Sequence, residues 1–163
     1  GLLQTPEYTR ALIGDAQGIE PPQLEKFVES RRERQRILDR SAPPVLSFLI
    51  DEAALSRAIG GPATMRAQLD HLRQVADAPN VAIRIVPLSL GAHAGLRGPF
   101  VHLRFGGEND PDVVYLENRS GDSIFENDAE ISGMYLRLFT DLEKRAAPPE
   151  ELGLYLERAL DNL

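Results

Sequence analysis

Residues 100–126 read FVHLRFGGENDPDVVYLENRSGDSIFE. Three runs in this stretch, FVHLRF (100–105), DVVYLE (112–117) and SIFE (123–126), are rich in the β-branched and aromatic residues that strands favour. Gly, Asn, Asp and Pro fill the gaps between them, and each gap is hairpin-sized. Strands joined in succession by such short connections form an antiparallel meander. The first run sets Phe100, His102 and Arg104 against Val101, Leu103 and Phe105, so one face is expected to be buried and the other wet.

The stretch GAHAGLRG (91–98) feeds the first of these strands. It matches neither the phosphate-loop nor the dinucleotide-binding pattern, both of which need a Gly-rich turn between a strand and a helix. It runs from strand to strand, so its glycines are expected to serve a shaped turn, through positive φ or close backbone approach. The connection from Leu88 to Pro99 is long for a hairpin, and loops of about a dozen residues often carry function. His93, Leu96 and Arg97 are its candidate contact residues.

Further upstream, VLSFLI (45–50) and VAIRIVP (81–87) are apolar runs of strand length. Thr5-Pro6-Glu7 starts a first helix: Thr caps, Pro suits the first helical position and Glu meets the positive end of the dipole. A second helix runs from about Pro22 to Asp39, with Leu24, Phe27, Val28, Ile37 and Leu38 as its apolar face. Between the two upstream strands, DEAALSRAIGG reads as a short helix and Pro62 opens a longer one to about Asp77. Asn127 or Asp128 caps a helix to about Arg145, and a last helix starts at Pro149. The order is α, α, β, α, α, β, β, β, β, α, α. It predicts an α+β fold, a single domain over residues 1–163 with a mostly antiparallel sheet of about five strands covered by helices.

The chain has 163 residues, with 42% apolar and 26% charged residues, as in an ordinary globular domain. It holds no Cys, which excludes disulfides and Cys-ligated metal, and fits a cytoplasmic location. No apolar run approaches the ~18 residues of a membrane span. The opening GLLQTPEY has no initiator Met and reads as a cut inside a longer protein, with the missing part upstream. The net charge is −7, and residues 108–130 alone carry eight acids against one Arg. That balance argues against this chain gripping a phosphate backbone, which needs clustered Lys and Arg.

The one dense basic cluster is RRERQR (31–36), with Arg31, Arg32 and Arg34 as candidate contacts for an acidic partner. Glu29 with Arg32 and Glu33 with Arg36 partly neutralise it. The histidines His71, His93 and His102 lack metal-ligand spacing, so no metal is expected. Asp51-Glu52 is expected to cap the helix that follows it. Tyr115, Glu117 and Arg119 cluster at the end of DVVYLE, a position where a catalytic acid or a binding surface can lie. No nucleophile elbow, zinc motif or nucleotide loop is present, and no cofactor is expected.

Several segments in order resemble a known family: GLLQTPEYTRALI, RRERQRIL, LIDEAAL, GGPATMRAQLDHL, NVAIRIVPLSLGAHAGLRGPFVHLRF and DVVYLEN. The chain is similar to the C-terminal domain of unknown function in actinobacterial regulators that carry an N-terminal helix-turn-helix of the lambda-repressor type, the WhiJ-like group. The resemblance implies a DNA-binding domain upstream and a regulatory role for this chain. It also implies a separate small partner protein, similar to the developmental protein BldB. It implies no catalytic residues.

The leading expectation is therefore a regulatory domain that binds a small partner protein or a small-molecule effector. Its candidate surfaces are the 88–99 loop, the Tyr115–Arg119 segment and the basic helix, and it would meet DNA only through the upstream domain. One alternative is an enzyme acting on a nucleotide-like substrate with Glu117 as acid and base. Another is a purely structural dimerisation domain.

Overall fold

The computed structural model describes residues 1–17, 19–107, 110–117 and 122–163. In chain order the elements are α1 (Pro6–Gln17), α2 (Pro21–Gln35), β1 (Leu46–Asp51), α3 (Glu52–Leu55), α4 (Gly61–Ala76), β2 (Val81–Val86), β3 (Phe100–Leu103), β4 (Val113–Leu116), β5 (Ser123–Glu126), α5 (Ala129–Arg145) and α6 (Leu152–Asp161). They form two compact units, residues 1–88 with 147–163, and residues 89–146.

The fold is α+β, but the strands do not form one antiparallel sheet. β1 and β2 make a parallel pair, in register from Leu46 opposite Val81 to Asp51 opposite Val86. β3, β4 and β5 make a separate antiparallel sheet with β4 in the centre. The expectation of a mostly antiparallel five-stranded sheet is corrected on both counts. The reason lies in the connections. Residues 52–80 join β1 to β2 and hold two helices, α3 and α4. A connection of that length is a crossover, which returns the chain parallel to its start. Residues 87–99 are likewise too long to close a hairpin between β2 and β3, and fold instead into short 3₁₀ turns at Leu88–Leu90 and Ala94–Arg97. Only the two connections within 100–126 are hairpin-sized, and only those strands form the meander.

In the first unit β2 supplies the buried positions of the parallel pair, and β1 beside it is half-buried. Parallel strands are usually covered on both faces, and continuous apolar runs such as VLSFLI and VAIRIV are their signature. Ile83 and Ile85 of β2 pack with Met65, Leu69 and Leu72 of α4, with Leu55 of α3, and with Leu152, Leu156 and Ala159 of α6. Leu3 and Tyr8 complete the cluster. After α5 the chain returns to this unit, where the Ala147 N–H donates to the Ile85 carbonyl at 2.8 Å.

The segment before α1 is held by side chains from two helices. Gln68 of α4 is buried; its amide donates to the Leu3 carbonyl at 2.6 Å and accepts from the Thr5 N–H at 2.7 Å. Gln35 of α2 donates to the Gln4 carbonyl at 2.7 Å, and Arg31 donates to the Gln4 side chain. Arg10 clasps Glu25 through two nitrogens at 2.7 and 3.1 Å and so ties α1 to α2. This exposed fork holds the Glu25 carboxyl below its ordinary range.

The second unit is thinner. α5 starts at Asp128, whose carboxylate accepts from the Ile131 N–H at 2.9 Å. Phe100 of β3 meets Tyr135 of α5 in a tilted ring contact, 4.9 Å between centroids, and Phe139 edge-on at 6.5 Å. Val114, at the centre of the sheet, is fully buried.

Candidate functional site

Directly opposed residues of an antiparallel sheet share a face. The register therefore sorts the second unit's strands without ambiguity. Phe100, His102, Val114, Leu116, Ser123 and Phe125 lie on one face. Val101, Leu103, Val113, Tyr115, Ile124 and Glu126 lie on the other. The ring contacts of Phe100 with α5 and the full burial of Val114 make the first set the inner face.

The inner face carries Phe100, Val114, Leu116 and Phe125 together with His102, while Val101 and Leu103 of β3 stand in water. Val101 is 47%, Leu103 44% and Ile124 60% exposed, and Phe105, just past β3, is 52% exposed. Carboxylates accompany them. Glu126 is opposite Val113, and the Tyr115 hydroxyl donates to Asp122 just before β5. Glu117, next after β4, is exposed and follows Tyr115 by strand alternation. Glu117 and Glu126 form no ion pair, and no Lys or Arg lies on this face among the described residues. The result is an apolar strip with acids at its margins.

The inner face holds a polar cluster that sequence reasoning missed. His102 Nε2 lies 2.8 Å from Ser132 Oγ and 3.3 Å from Asp112 Oδ2, and the Ser132 hydroxyl donates to the same Asp112 oxygen at 3.2 Å. These are the residue types of a hydrolytic triad, but not its geometry. A triad uses the two ring nitrogens separately, one toward the serine and one toward the aspartate. Here both oxygens meet a single nitrogen, and the serine is buried. The cluster is a clasp that joins β3, the start of β4 and α5. Its signal in the sequence was His102 sharing a face with Phe100, because a buried polar side chain requires partners.

The other predicted residues are dispersed. His93 precedes the 3₁₀ turn Ala94–Arg97, and Leu96 and Arg97 on that turn are exposed. Gly91 and Gly98 take φ of +67° and +138°, so the loop uses its glycines as a shaped turn does. Tyr115 and Glu117 belong to the outer sheet face, while Arg119 lies outside the described residues. Arg31, Arg32 and Arg34 are in the first unit. Arg31 is occupied with Gln4, whereas Arg32 and Arg34 are exposed. Asp51 caps α3 by accepting from the Ala53 N–H at 2.8 Å, and Glu52 accepts from the Leu88 N–H at 2.8 Å. Both members of that acid pair thus have local partners.

Two clefts flank Leu2 in the first unit. One, of about 240 Å³, is lined by Leu3, Tyr8, Phe48, Met65, Gln68 and Leu72. The other, of about 330 Å³, is lined by Leu38, His71, Val75, Asn80 and Val81. Burial lowers the His71 pKa from its ordinary 6.5 and raises that of Tyr8. Among the described residues no group of His, Cys, Asp and Glu is arranged to hold a metal ion. None of their helices is long and apolar enough to cross a membrane.

A family model described as a domain of unknown function, DUF5753, matches residues 1–152. No curated protein and no solved structure matches the chain.

Proposed function

The chain belongs to the DUF5753 family, and from that premise we propose that it is the regulatory, partner-binding part of a cytoplasmic transcriptional regulator. The resemblance to the WhiJ-like regulators of actinobacteria supplies the setting: a helix-turn-helix upstream reads DNA, and this chain receives the signal. The observation that carries the reading is the outer face of the β3–β4–β5 sheet. Contiguous apolar surface in water is uncommon on monomers and marks interaction sites. A small protein of the BldB-like kind is the partner that the resemblance implies. Its binding alters DNA affinity only if it binds the DNA-competent and DNA-incompetent states unequally.

A second reading is sensing of a small apolar ligand, and the clefts beside Leu2 favour it, since ligand sites are concave and mostly apolar. Native mass spectrometry of the chain captured from its source cells separates the two. A retained small protein is the expected result. A small-molecule adduct transfers the proposal to the clefts. A bare chain or a bare homo-oligomer contradicts partner binding.

A further inference from the structure

We propose that the outer face of the β3–β4–β5 sheet docks a protein segment that is both apolar and basic, its Lys or Arg side chains pairing with Glu117, Asp122 and Glu126. The proposal rests on the partner-binding reading above and assigns the partner's chemistry. Apolar area comes from Val101, Leu103, Val113, Tyr115 and Ile124, which the register places side by side across the three strands. Val101 and Ile124 both stand opposite Tyr115, so the phenol ring forms the middle of the strip and its hydroxyl is anchored on Asp122.

Charge decides among the occupants. A second copy meeting this face with the same face would set one acid-margined strip, with Glu117, Asp122 and Glu126, against another and bring no basic group, and like charges across an interface are unfavourable. A second copy presenting its basic α2 would make a head-to-tail contact, which grows into a filament unless the rotation closes a ring. Nucleic acid is repelled by the carboxylates. A separate segment with apolar residues flanked by Lys or Arg satisfies the strip and its margins together. β3 and β5 are both edge strands, so such a segment can also pair its backbone with the sheet.

The test is a selection of random peptides displayed on phage against the whole chain, with each enriched peptide re-measured on V101K/I124K. Both substitutions fall on edge strands, where Lys is well tolerated, and circular dichroism checks that the variant folds. The expected peptides combine apolar residues with an excess of Lys and Arg, lose binding to V101K/I124K by at least ten-fold, and weaken with added salt. On E117Q/E126Q, which keeps shape and removes charge, they bind about five-fold more weakly. Peptides that bind V101K/I124K equally well, or no enrichment at all, overturn the face as a docking site. Face-dependent peptides without basic residues overturn the assigned chemistry. A dimer of the chain that dissociates in V101K/I124K overturns it in favour of a second copy. The broader reading fails separately: if native capture still retains a protein on V101K/I124K, partner binding stands and this face falls. If capture retains nothing while face-dependent basic peptides are enriched, the face stands and the regulatory reading loses its partner.

Discussion

The two units treat their strands differently. In residues 1–88 and 147–163, the face of the parallel pair that carries Ile83 and Ile85 is packed against helices, and the apolar cluster runs from Leu3 to Ala159 through four helices and β2. Among the described residues of 89–146, three strands are covered on the α5 side only, and the buried side chains there are Val114, Ser132 and Leu142. Domains are built from layers that hide each other's apolar faces. The first unit has its layers. The second, among its described residues, leaves an apolar sheet face without one, and that is where the proposed partner would sit.

That contrast can be broken by mutation. Leu69→Ala or Ile83→Ala, each at a site 1% exposed, should cost about 2–5 kcal/mol in chemical denaturation, as cavity-forming changes do. A cost near zero would mean that the first unit is not the closed core described. Gln68→Leu should cost about 1–3 kcal/mol, because it leaves the Leu3 carbonyl and the Thr5 N–H without their side-chain partner. Amide exchange should quicken at Thr5 in that variant, and unchanged protection would remove Gln68 as the anchor of the N-terminal segment.

In the second unit, Ser132→Ala should cost about 1 kcal/mol and leave the fold intact, since one hydroxyl is lost from a buried cluster. Unaltered stability would show the clasp to be incidental. The first unit also carries a pH signature. Burial depresses the folded-state pKa of His71 below its ordinary 6.5, so the unfolded chain takes up the proton first. The contribution is fully present above pH 6.5 and is lost as pH falls from there through the lower, folded-state value. His71→Gln should flatten the decline in melting temperature below pH 6.5, and an unchanged slope would assign it to other groups. The smallest effect is expected at the outer sheet face: Ile124→Thr should change stability by no more than about 0.5 kcal/mol. A loss comparable to that of Leu69→Ala would mean that this face is already packed.

The starts of α1, α3 and α5 are legible because their chemistry is local, whereas the helix expected to Asp39 ends at Gln35 and the one expected from Pro149 begins at Leu152. Thr5 accepts from the Tyr8 N–H, Asp51 caps α3 and Asp128 caps α5, each as its residue type suggests. The meander is legible for the same reason, since its connections are short. The split into two sheets is not, because no residue pattern within a strand carries it. A parallel crossover announces itself by that length rather than by any residue. The docking face was half legible. The alternation of Phe100–Phe105 marked two faces, but which one meets α5 depends on long-range packing: Phe100 finds Tyr135, and His102 finds Ser132 and Asp112. Tyr115 and Glu117 are marked in the sequence by their position at a strand end, and they lie on the outer face. Arg31 is a candidate contact for an acidic partner by sequence, whereas the structure sets it on Gln4, far away in the chain.

The most direct test of the outer face as a docking surface is a paired capture. The chain and its V101K/I124K variant would be exposed to the same lysate of source cells and read by native mass spectrometry. The account predicts a protein partner on the original chain, of fixed stoichiometry, and none on the variant, with equal circular dichroism for the two. A partner held equally by both, or by neither, would contradict it.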